Sequence, residues 1–112
     1  MAVVMRMRWS GVTPQQYDEV RRRVNWVQNV PPGAQVHLAS FDQDGVLHCF
    51  DVWDSPEALQ SFLENRIMPA VQAVGVTTEP DVHIDPCHEL FIARAGTITI
   101  PEQERVLTAT PM

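Results

Sequence analysis

The sequence predicts a single α+β domain whose elements run strand, helix, strand, strand, helix, strand. Three observations carry that prediction. Two helices announce their starts in the same way, with a hydroxyl residue followed by proline, at Thr13-Pro14 and Ser55-Pro56. An Asp44-Gly45 pair lies between two apolar runs, and glycine there supplies the positive φ that a tight hairpin turn requires. Apolar residues alternate before the first helix and after the second, so each helix is bracketed by strands.

Taken in order, residues Ala2 to Trp9 put Val3, Met5, Met7 and Trp9 on one side and Val4, Arg6 and Arg8 on the other, which is the two-residue rhythm of a strand. Thr13, Pro14 and Gln16 then form a capping box with proline at the first helical position. Tyr17, Val20, Val24 and Val27 fall at helical steps and define a buried stripe. Arg21, Arg22 and Arg23 lie between them with Asp18 and Glu19 close by, so they read as a solvated outer face rather than an anion site.

Pro31, Pro32 and Gly33 end the helix, and Ala34 to Phe41 and Val46 to Trp53 form the second and third strands, joined by Asp42-Gln43-Asp44-Gly45. Leu59, Phe62, Leu63 and Ile67 mark the buried side of the second helix. Pro69 lacks a backbone donor, so that helix must kink or restart between Arg66 and Pro69, with a continuation to Val74 stopped by Gly75. Val82 to Ala93 reads as the fourth strand, with Val82, Ile84, His88, Leu90 and Ile92 on one rhythm and Pro86 marking an edge or a bulge. The domain covers residues 1–95. Residues 96–112 form a C-terminal extension, either an added strand at Thr97-Ile98-Thr99-Ile100 or a tail.

A chain of 112 residues, 45% hydrophobic and 20% charged, has the balance of one ordinary globular domain. Its net charge of −6 arises from 14 acidic residues against 8 basic ones, all arginine, and an acidic surface disfavours nucleic acid. No segment has the length of a membrane span, and no signal peptide is expected. Cys49 and Cys87 fall on the third and fourth strands, which the first strand separates by about 9–10 Å, beyond disulfide reach. Reduced thiols and a cytoplasmic setting follow.

Right-handed crossovers and the hairpin give an antiparallel sheet in the order 4-1-3-2 with both helices on one face. The strands carry apolar groups on both sides, such as Val36 and Leu38 against Ala39 and Phe41, so the second face also needs cover. The same face of a second copy is the simplest cover, and a homodimer closing two sheets into a barrel is expected.

At Val52-Trp53-Asp54-Ser55-Pro56-Glu57-Ala58-Leu59 the sequence resembles the ferredoxin-like, dimeric α+β barrel superfamily, which includes antibiotic-biosynthesis-type and haem-degrading monooxygenases. Their third strand commonly ends in Trp-x-Ser-x-Glu-Ala. The haem-degrading members use an asparagine on the first strand, the tryptophan ending the third, and a histidine on the second helix. Only the tryptophan has a counterpart, Trp53, so haem degradation is not implied. The resemblance implies a pocket between sheet and helices, which makes Trp53, Asp51 and Cys49 candidate lining groups.

A buried Asp51 would need a partner, which makes it the leading acid–base candidate. His88, on the rhythm of the fourth strand, is the second catalytic candidate, and Trp53, Cys49 and His37 are the substrate-binding candidates. His83, Asp85, His88 and Glu89 offer metal-ligand chemistry, but alternation sends His83 and His88 to opposite faces, so neither metal nor cofactor is expected. Two functions remain. One is a cofactor-independent monooxygenase or isomerase acting on an aromatic or polyketide-like molecule. The other is a non-catalytic module that holds a hydrophobic ligand or a partner protein.

Overall fold

A computed structural model describes residues 1–93. The extension expected over 96–112 lies outside the described residues. The elements are β1 (Val3–Trp9), α1 (Pro14–Val24), β2 (Ala34–Phe41), β3 (Leu47–Trp53), α2 (Pro56–Phe62), a π-helical turn (Leu63–Ile67), α3 (Met68–Ala73) and β4 (Asp81–Pro86). The strands form one antiparallel sheet in the order β2-β3-β1-β4, which is the expected order read from the other edge.

Local chemistry sets the boundaries. Thr13 caps α1 by accepting the Gln16 amide at 3.0 Å, and the Gln16 side chain accepts the Thr13 amide at 3.0 Å. The helix closes at Asn25, whose φ of 57° is left-handed and whose N–H bonds back to Arg21. α1 therefore stops short of Val27, which is 38% exposed rather than part of the buried stripe. At the hairpin, Asp42 accepts the amides of Asp44 and Val46 at 2.9 and 3.0 Å, and Gly45 takes a φ of 81°.

The proline at position 69 is accommodated by the π turn. The Met68 amide reaches back five residues to the Leu63 carbonyl, so the ladder widens by one residue just before the proline that cannot donate. The fourth strand ends at Pro86, earlier than alternation suggests. Pro86 stands opposite Val3, the first residue of β1, and one further bond runs from the Cys87 amide to the Ala2 carbonyl at 2.9 Å, so the strand ends where its partner ends. His88, Leu90 and Ile92 lie beyond it as exposed residues.

Cross-strand register aligns Met5 with Asp51 and Ile84, and Met7 with Cys49 and Val82, so these residues share one face; the helices cover it over β1 and β3, while Val82 and Ile84 on the edge strand stay exposed. Met5, Cys49 and Leu59 are the most deeply buried large side chains of the core between sheet and helices. The opposite face carries Leu38 and Phe50, paired across β2 and β3 and 59% and 45% exposed. Val4, Val36 and Val52 are half-buried beside them. No helix among the described residues is long and apolar enough to cross a membrane.

Candidate functional site

Four side chains from α1, β2 and β3 join into one hydrogen-bonded chain on the helix-covered face. The hairpin turn fixes the register so that His37 stands opposite Asp51. Trp53 lies two residues further along β3, on the same face as Asp51. Tyr17 descends from the first turns of α1 onto His37.

Asp51 is 5% exposed, the only buried charged residue among those described. Its partners are explicit. The Trp53 indole N–H donates to Oδ2 at 3.1 Å, and His37 Nδ1 lies 2.7 Å from Oδ1. His37 Nε2 in turn lies 2.7 Å from the Tyr17 hydroxyl.

Donor and acceptor counting sets the direction of this chain. An indole nitrogen only donates, and a carboxylate only accepts, so Nδ1 of His37 carries the proton given to Asp51. In the neutral imidazole Nε2 is then a lone pair, and the Tyr17 O–H donates to it. A hydroxyl, an imidazole and a buried carboxylate in this order match the logic of an activated-hydroxyl triad, with a phenol in the hydroxyl position.

Aromatic rings enclose the Tyr17 end. The Tyr17 ring stacks beside His37 at 6.2 Å and 8°, and meets Phe41 and Trp26 edge-on at 6.2 and 6.1 Å. Trp26 also meets His37 at 5.0 Å. Burial pushes the Tyr17 phenol well above its ordinary value, with the nearby Cys49 and Asp51 adding to the effect, so it remains protonated. At the other end, the Trp53 ring packs on Phe62 at 5.1 Å.

His37 keeps one-third of its side chain exposed, so the chain is reachable from outside. An open surface cleft of about 420 Å³ is lined by Asp18, Arg21, Arg22, Asn25, Trp26 and Val27; it lies outside the expected space between sheet and helices, and Trp53, Asp51, Cys49 and His37 do not line it. Trp26 contributes both to this cleft and to the wall around His37.

Asp51, Trp53 and His37 are thus brought together. Cys49 shares their face but is 1% exposed, and burial, followed by the charge of Asp51, pushes its thiol up to about 12, which makes it an inert packing group. His88 is not part of the cluster. It follows the end of β4 and is exposed. Among the described residues no group of three or more His, Cys, Asp or Glu side chains could hold a metal ion.

Tyr17, Trp26 and Phe62 are members that sequence reading did not assign to the site. Tyr17 carried a usable signal, because a phenol on a buried stripe needs a polar partner. His37 is already a substrate-binding candidate, and its pairing with Asp51 follows by counting back along the hairpin from Phe41 and Leu47.

No protein-family model and no curated protein matches the sequence. Solved structures do match. A protein of unknown function from Nitrosomonas europaea superposes with a TM-score of 0.63 at 14% identity, over 84% of this chain and 96% of that one. A mutant of SnoaB, a cofactor-independent oxygenase from Streptomyces nogalater, gives 0.60 at 16% identity over 80% and 95%. A presumed antibiotic biosynthesis monooxygenase from Caulobacter crescentus gives 0.59 at 18% identity over 79% and 91%. With its sheet order, its two helix crossovers and these superpositions, the chain has the ferredoxin-like α+β fold of the antibiotic biosynthesis monooxygenase-like proteins.

Proposed function

We propose that this protein is a small-molecule enzyme of the cytoplasm, a cofactor-independent monooxygenase or isomerase that moves a proton on an aromatic or polyketide-like substrate and works as a homodimer. The observation that carries this reading is the directed chain from Tyr17 through His37 to the buried Asp51. A substrate hydroxyl held at the Tyr17 oxygen passes its proton to that oxygen as the phenol passes its own to His37 Nε2. Asp51 then stabilises the imidazolium through Nδ1–H. In an isomerase the proton returns to another atom of the same molecule. In a monooxygenase the deprotonated, electron-rich substrate reacts directly with dioxygen: the substrate itself supplies the electrons, a CH₂ carbon keeps one oxygen atom as a new carbonyl and the other leaves as water, so the protein need supply only orientation and the base.

The fold shared with SnoaB supports the oxygenase reading, and the apolar outer face with Leu38 and Phe50 supports the dimer. The two free cysteines fit a reducing compartment.

The test is turnover of a panel of polycyclic phenols and quinones, with dioxygen uptake followed in parallel. His37→Gln and Asp51→Asn should lower kcat by about 10²–10⁴. The Asn variant is informative because Trp53 can only donate. The amide oxygen must face Trp53, the amide NH₂ then faces Nδ1, and His37 is forced into the wrong tautomer. Variants that keep full turnover would sink the reading. Binding without turnover by the unaltered protein would favour the non-catalytic ligand-holding module.

A further inference from the structure

Arg66 sits on the π turn with its guanidinium near both flanks of the hydrogen-bonded chain. One nitrogen donates to the Val24 carbonyl at 2.8 Å and to the Asn29 carbonyl at 2.8 Å, spanning the turn that carries Trp26. That turn holds one backbone bond of its own, from the Asn29 amide to the Asn25 carbonyl at 2.9 Å. The same guanidinium lies 5.3 Å over the Phe62 ring. Phe62 packs on Trp53, the donor to Asp51, while Trp26 packs on His37.

The π turn is what places Arg66 here. The widened ladder changes the rotation of the residues within and after the turn relative to an unbroken α-helix, so restoring α-helical spacing would move Arg66 relative to the Val24 and Asn29 carbonyls. Val24 ends α1, so its carbonyl has no intrahelical donor, and both N–H bonds of one guanidinium nitrogen are used, on Val24 and Asn29. The rigid plane of the group fixes the directions of those two bonds while its face lies over Phe62, where a freely rotating lysine ammonium has no fixed directions and no planar face.

We infer that Arg66 is a positioning residue for the proposed site: by tying the Trp26 turn to the Phe62–Trp53 stack, it holds His37 in the single orientation in which Nδ1 donates to Asp51. The inference rests on the proposed role of His37, but its primary readout needs no substrate.

The test is nitrogen-15 NMR of the histidine side chains in the full chain, with Arg66→Met and Arg66→Lys beside the unaltered protein. The unaltered protein should show a protected Nδ1–H signal for His37 and the nitrogen shift pattern of one tautomer. Both variants should lose that protected proton and show averaged tautomer shifts. The Trp26 indole signal should move, and that of Trp9, held by Thr78 at 3.1 Å, should stay. Thr13→Ala loosens α1 without touching Arg66 and controls for general destabilisation, so it should leave the His37 signals intact. If Arg66→Met fails to fold, Trp26→Ala tests the same link and should produce the same loss of tautomer order. An unchanged His37 pattern in a folded Arg66→Met or Trp26→Ala protein would overturn the inference. If turnover proves absent while the NMR changes occur, the proposed function falls and the positioning role stands.

Discussion

At the scale of single residues, a tyrosine that would ordinarily count as core padding stands at one end of a hydrogen-bonded chain that reaches a buried carboxylate. Tyr17 is the only tyrosine in the chain, so its ionisation can be followed directly through the ultraviolet phenolate band. Its folded value is raised by burial, and the sign follows from linkage: the stabilising contribution is complete below the ordinary tyrosine value of about 10 and is lost as the pH rises through the folded value. The folded protein should therefore show no phenolate near pH 10, and the band should appear together with loss of circular dichroism at higher pH. A reversible phenolate signal in the intact fold near pH 10 would contradict the burial argument. The cysteine in the same layer behaves as the chemistry of a buried thiol requires. Asp51 could be recognised from the sequence as a charge in need of company, but the identity of that company depended on a register between two strands.

At the scale of elements, the helix starts, the hairpin and the break near Pro69 were legible because each is written in local chemistry: a cap, a positive-φ glycine and a missing donor. The end of β4 was less legible. Alternation continues through His88 to Ile92, but a ladder needs a partner as well as a rhythm, and β1 begins at Val3, opposite Pro86, with one last bond from the Cys87 amide to the Ala2 carbonyl. Arg66 was opaque for a related reason, since a π turn shifts helical phase and no periodicity count anticipates it. Gly33 offers a test at this scale. Its φ is 86°, an added Cβ would lie 2.7 Å from the Ala58 Cβ, and its carbonyl accepts the Asp54 amide at 2.8 Å, joining the start of β2 to the start of α2. Gly33→Ala should cost at least about 1–2 kcal/mol, the penalty of a left-handed conformation alone, read from urea unfolding. A cost of only about 1–2 kcal/mol would mean that the Ala58 contact relaxes freely, and a neutral result would contradict the left-handed conformation at Gly33.

At the scale of the whole molecule, one sheet face is covered by helices and the other presents Leu38 and Phe50 to its surroundings. If that second face meets its counterpart in the proposed dimer, a charge placed at its centre must be buried without a partner. Phe50→Lys should then shift sedimentation from a dimer to a single chain, with far-ultraviolet dichroism retained. An unaltered protein that sediments as one chain would refute the assembly. The strand order has one more consequence. β1 is central, pairing with β3 on one edge and β4 on the other, so the first of these four strands to be synthesised is among the last to be enclosed. Until the segment ending at Pro86 has been synthesised, the nascent chain exposes a row of unsatisfied amides along Val3–Trp9. Arg6 and Arg8 lie on that row, where their charge discourages a neighbouring nascent chain from completing the ladder first.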